Sequence, residues 1–135
     1  MLTLAHCVAV GVGAALGAMV RWLLGLALNH AGATLPWGTL LANGAGAFLI
    51  GVLLAFLLQW PTVPEWLRLF LVTGFLGGLT TFSTFSAESF GLLQRGEWGW
   101  AFAYMFVSLA GCLGLTALGF FGAQRGLAVW LARVL

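Results

Sequence analysis

Four long apolar runs, at roughly 5–28, 38–59, 66–92 and 98–122, constrain this chain more than anything else in it. Crossing the hydrocarbon core of a bilayer as a helix takes about 20 mostly apolar residues. At that depth an unpaired backbone group costs several kcal/mol, so a helix is the form such a run adopts. The supply of charge agrees. The chain has five arginines (Arg21, Arg68, Arg95, Arg125, Arg133), three glutamates (Glu65, Glu88, Glu97), and no lysine or aspartate. Only 6% of residues are charged, against about 25% in a soluble domain. That is too little to cover a surface facing water. The fold class is an all-α integral membrane protein of four transmembrane helices, with residues 1–135 as a single membrane domain.

The joints between runs are short and polar or turn-rich. The first, 29–37, carries His30 and Pro36. The second, 59–65, contains Pro61 and Pro64, which end one helix and let the next begin. The third is the tight turn Gln94-Arg95-Gly96-Glu97. Trp22, Trp37, Trp60, Trp66, Trp98 and Trp100 fall near run ends, where an aromatic belt places them. The N-terminus opens without a basic region and its apolar run continues past Arg21, so it reads as a retained span rather than a cleaved signal peptide. The tail from Ala123, with Arg125, Trp130 and Arg133, reads as an amphipathic segment lying in the interface.

Orientation is nearly balanced. With the N-terminus inside, Arg68, Arg125 and Arg133 are cytoplasmic while Arg21 and Arg95 are outside. The positive-inside rule barely separates the two orientations. Either the tail arginines set one orientation, or the chain inserts both ways and pairs as an antiparallel dimer. Small-residue rows, Gly13-Gly17, Gly74-Gly78, Ala42-Gly46, Ala47-Gly51 and Ala110-Gly114, let backbones approach closely within or between subunits.

The segment GFLGGLTTFSTFSAE, 74–88, sits in an apolar run yet is rich in glycine, threonine and serine. Glycines weaken a helix, and hydroxyls can re-satisfy the backbone groups a break sets free. Broken helices at membrane depth occur where protein or a watery path surrounds them. The third helix is therefore expected to break near Gly77–Thr80, at the working site. Phe82 and Phe85 share a face just after the break. Ring edges are electropositive and can meet a small anion without offering a proton.

Other polar residues inside the runs need reasons too. Thr39 and Asn43 share one face of the second helix, and Asn43 serves either as a pore donor or as a hydrogen-bonded link to a neighbouring helix. Tyr104, Ser108, Cys112 and Thr116 recur every four residues and make a semi-polar track along the fourth helix. Glu88 is expected to sit in a vestibule, to pair with an arginine or to reach the interface, and Arg21 to snorkel or to draw anions into a mouth. Cys7 and Cys112 read as buried thiols. No His, Cys or carboxylate cluster has catalytic or metal-ligand spacing, and no basic cluster suggests nucleic acid.

GVGAALGAMVRW (11–22), WGTLLANGAG (37–46) and above all GFLGGLTTFSTFSAE (74–88) resemble, in order and position, the Fluc/CrcB family of microbial fluoride channels, across nearly the whole chain. The resemblance implies an antiparallel, dual-topology homodimer in a bacterial inner membrane, with two fluoride pores lined by both subunits. It implies a structural Na⁺ at the dimer centre, held by the backbone carbonyls of Gly77 and Thr80. It assigns pore roles to Asn43, Phe82, Phe85, Tyr104 and Ser108, and an entrance to Arg21. Fluoride, a second copy and lipid are the implied partners. Two rivals stand beside it. A proton-coupled exporter needs an embedded carboxylate, usually in the first span, which has none. A non-conducting assembly subunit leaves Asn43, Phe82 and Phe85 unexplained.

Overall fold

The computed structural model describes residues 3–30 and 33–134. All regular structure among them is helical, and four helical stretches are long and apolar enough to cross a membrane: Leu4–Leu28, Trp37–Gln59, Glu65–Gln94 and Trp98–Arg133.

Helix α1, Leu4–Leu28, opens on a reciprocal cap. The His6 N–H donates to the Thr3 hydroxyl and the Thr3 N–H to His6 Nδ1, each at 3.4 Å, pairing donors that a helix start leaves orphaned. The Asn29 side chain, at the far end of α1, accepts the Gly38 N–H at 2.7 Å, so the end of one span caps the start of α2, Trp37–Gln59.

The third span is four pieces. Short α3, Glu65–Arg68, runs into a π-helical stretch, Leu69–Leu76, then α4, Gly77–Leu79. Thr80 and Thr81 are extended (ψ 153° and 121°), and α5, Phe82–Gln94, restarts the helix. The break expected near Gly77–Thr80 is there, centred on the two threonines. The π stretch had no sequence signal that distinguished it from ordinary helix.

The turn into the last helix needs Gly96, whose φ of 76° favours glycine, and Arg95 Nε donates to Glu97 Oε1 at 2.7 Å beside it. Helix α6, Trp98–Val134, continues unbroken through the tail. Its 37 residues make about 55 Å at 1.5 Å per residue, well beyond a hydrocarbon core of about 30 Å. The expected separate interfacial segment after Ala123 is instead the end of this one helix, because nothing after Ala123 breaks it.

Glycine rows set the packing. A Cβ at Gly13 or Gly17 would collide with the Phe70 or Phe75 carbonyl, and one at Gly74 or Gly78 with the Val10 or Ala14 carbonyl. The two GxxxG rows therefore face each other within one chain, seating α1 on the third span. Likewise Gly51 and Gly119 let α2 and α6 touch backbone to backbone, and Thr116 donates to the Ala47 carbonyl at 3.0 Å. Ala110-Gly114 is the exception, exposed on the outside of α6. Helix packing buries no more than 28% of any span's most apolar window, so most apolar surface is left for lipid or another subunit.

Candidate functional site

Breaking a helix inside a membrane frees backbone groups, and this chain pairs several of them through side chains. Asn43, from α2, reaches the break with both ends of its amide. Thr81 N–H donates to Asn43 Oδ1 at 2.7 Å, and Asn43 Nδ2 donates to the Thr81 carbonyl at 3.1 Å. Thr81 Oγ1 accepts the Thr84 N–H at 3.2 Å and so caps α5. The Thr80 hydroxyl donates back to the Leu76 carbonyl at 2.8 Å, and its methyl lies over Gly46. Arg21 Nε, from α1, donates to the Gly78 carbonyl at 3.0 Å, a cation set at the C-terminal end of the half-helix, where it complements the dipole. The half-buried Arg21 is thus tied to the break through Nε.

No side-chain, turn or cap hydrogen bond among the described residues reaches the Gly77 or Thr80 carbonyl. A Cβ at Gly77 would meet nothing closer than the Val72 carbonyl at 3.8 Å. Packing within the chain therefore does not demand that glycine. No group of three or more His, Cys, Asp or Glu that could hold a metal ion is found among the described residues.

The break borders an open groove of about 520 Å³, lined by Asn43, Gly46, Gly77, Thr80, Thr81, Phe82, Phe85 and, from α6, Ser108, Cys112 and Thr116. The two phenyl rings lie 5.5 Å apart between centroids, but their surroundings differ. Phe82 is 73% exposed at the rim, whereas Phe85 is 7% exposed and packs at 5.4 Å on Tyr104.

The track on α6 is less continuous than its spacing suggests. Thr116 spends its hydroxyl on Ala47. Tyr104 is buried and donates to Glu88 Oε2 at 2.8 Å, and Thr39 donates to Glu88 Oε1 at 2.7 Å. Ser108 alone keeps a buried hydroxyl with no partner among the described residues, and it lines the groove. Glu88 forms no ion pair with an arginine among the described residues. Instead two hydroxyls from α2 and α6 hold its carboxylate through short, charge-assisted bonds. Cys7, expected buried, is exposed on the surface of α1.

On the other side of that carboxylate lies a polar pocket of about 240 Å³, lined by Asn29, His30, Thr34, Glu88 and Arg95 among others. The polar pocket, the Thr39–Glu88–Tyr104 layer, Phe85 and the groove with Ser108 and Asn43 thus succeed one another across the molecule. Sequence spacing did suggest that Thr39 and Asn43 share a face. It held no sign that Glu88 joins Thr39, 49 residues away, or that Arg21 reaches Gly78, 57 residues away.

The family described as "CrcB-like protein, Camphor Resistance (CrcB)" matches residues 8–120. The chain is 60% identical over 119 residues to a protein of Bordetella avium, covering 88% of this chain and 93% of that one. It is 60% identical over 116 residues to one of Bordetella petrii, covering 86% and 89%. It is 57% identical over 123 residues to one of Chromohalobacter salexigens, covering 89% and 92%. Each of the three is named "Fluoride-specific ion channel FluC". With four membrane-spanning helices, a stapled break in the third and a match that takes in both, the chain belongs to the CrcB family.

Proposed function

We propose that this protein is a passive, fluoride-selective channel of a bacterial inner membrane, working as an antiparallel, dual-topology homodimer with two pores. The observation that carries the reading is the groove at the break. It gathers an orphan hydroxyl on Ser108, the amide of Asn43 and two phenyl rings into one half-open channel wall. The names of the relatives point to fluoride as the ion.

A permeating anion must bind well enough to enter and weakly enough to leave. No cationic side chain among the described residues lines the groove, which suits that compromise. Asn43 spends one amide proton on Thr81 and has a second to offer. Ser108 has its hydroxyl to offer, and the ring edges of Phe82 and Phe85 supply weak positive potential. Arg21, fixed through Nε, keeps further guanidinium N–H groups for an anion at the entrance.

Openness of the groove and exposure of Phe82 support a second copy as its missing wall. In an antiparallel pair each chain would supply a wall to both pores, in keeping with the near-balanced arginines. The uncommitted Gly77 and Thr80 carbonyls fit a structural Na⁺ shared between the two copies, which would add positive charge and hold the breaks together.

Fluoride efflux from liposomes, read with a fluoride electrode beside a chloride control, tests the proposal. Rapid fluoride release with chloride retained is the expected result. Retention of both ions by a folded, reconstituted sample would end the channel reading.

A further inference from the structure

A second groove, of about 470 Å³, lies elsewhere along the seam between α2 and α6. Helix α2 presents Asn43, Gly46, Ala47 and Ile50 to the polar groove, and Phe48, Val52 and Phe56 to this one. The opposite wall includes Leu118, Gly122 and Gly126, and every lining side chain is apolar. A subunit that covers the polar groove therefore leaves this one on a different side of α2.

Two features mark it as more than bare surface. Gly122 and Gly126 sit inside a helix, where glycine costs about 1 kcal/mol relative to alanine. A Cβ at either would meet nothing within 4 Å, unlike Gly119, whose Cβ would collide with the Phe48 carbonyl. Nothing inside the chain requires these two glycines, and their missing side chains shape the groove. The second feature is the pair of side chains adjoining its lining residues. Arg125 adjoins Gly126 in sequence, and has no acidic residue on its own helix or ion-pair partner among the described residues. Across the seam, Trp60 stacks on Phe56 with centroids 5.4 Å apart and planes 21° apart, placing an interfacial indole one turn beyond the apolar wall.

We propose that this groove binds one acyl chain of an anionic phospholipid whose phosphate is held by Arg125. The wall from Phe48 to Phe56 is about 12 Å long at 1.5 Å per residue. That nearly matches the hydrocarbon depth of one leaflet, about half of 30 Å. An apolar slot of that depth, with an exposed cation adjoining its Gly126 in sequence and an indole stacked on its Phe56, complements a phospholipid. A purely apolar helix surface of a second copy would leave Arg125 without a counter-charge.

The test is native mass spectrometry of the full-length protein released from vesicles of equimolar phosphatidylglycerol and phosphatidylcholine. The unaltered protein should retain phosphatidylglycerol preferentially. Arg125→Gln should lower that preference about fivefold, the size expected for one arginine at an anionic surface. Gly122→Leu should reduce retention of both lipids by filling the slot. Equal retention of the two lipids by the unaltered protein would overturn the proposal, as would full retention by Gly122→Leu. A change of oligomeric state in Gly122→Leu, with no lipid held by the unaltered protein, would assign the groove to a second copy and equally overturn it. Arg125 makes no hydrogen bond or ion pair that the fold depends on among the described residues, so its substitution remains informative even where Gly122→Leu fails to fold.

Discussion

Asn43→Asp changes one atom group at the point where the break and the proposed ion path meet. The new side chain keeps its shape, and one oxygen still accepts the Thr81 N–H, now at 2.7 Å. Its other oxygen replaces the amide donor 3.1 Å from the Thr81 carbonyl, leaving two acceptors face to face. Losing a hydrogen bond and stranding its acceptor costs about 1–3 kcal/mol, so the thermal midpoint should fall while the fold survives. The effect on flux is larger. A carboxylate about 5 Å from a passing fluoride opposes it by about 3 kcal/mol at an effective dielectric of 20, roughly a 200-fold loss of rate. The sign with pH follows from the chemistry. Protonating the introduced carboxylate restores a donor toward Thr81 and removes the charge, so flux relative to the unaltered protein should recover as pH falls. Efflux from liposomes is the assay, with protein-free vesicles measuring leak of the protonated acid at each pH. Unchanged flux in a destabilised Asn43→Asp protein would make Asn43 a staple for the break and remove it from the ion path. Unchanged stability would contradict the paired hydrogen bonds themselves.

Phe82→Ile and Phe85→Ile should each abolish most fluoride flux while leaving the size-exclusion profile unchanged. Only Phe85→Ile should also lower the thermal midpoint, because that ring is buried on Tyr104. Tyr104→Phe removes one of the two donors to Glu88 and should destabilise the protein by about 1.5–3 kcal/mol, read as a lower denaturation midpoint in detergent. Gly17→Ala should sharply reduce the yield of folded protein by forcing α1 off the Phe75 carbonyl. Gly122→Ala, with open space around it, should be tolerated, and size-exclusion profiles compare the two.

Apolar run length, scarce charge and the glycine- and hydroxyl-rich segment 74–88 sufficed for the four spans and the broken third helix, because bilayer depth and backbone pairing leave few alternatives to such a composition. The GxxxG rows were legible as close-approach surfaces, and the structure assigns Gly13-Gly17 and Gly74-Gly78 to each other inside one chain. The unbroken tail of α6 was not legible. Arginine and tryptophan near a span end signal an interface, but they do not stop a helix that no proline or positive-φ glycine interrupts. Glu88 shows the same limit. One-dimensional spacing placed it a turn after Phe85, yet its partners come from α2 and α6, and only the packing of three helices brings Thr39 and Tyr104 to its oxygens. Ser108 stood in register with three other candidates, and it is distinguished by what its neighbours spend elsewhere.

The most direct measurement of the central claim is the reversal potential of current through the purified protein in a planar bilayer, under opposed fluoride and chloride gradients. A passive fluoride channel reverses at the fluoride equilibrium potential and ignores both the chloride and the proton gradient. Reversal that tracks the proton gradient, or no current from folded protein, would contradict the account.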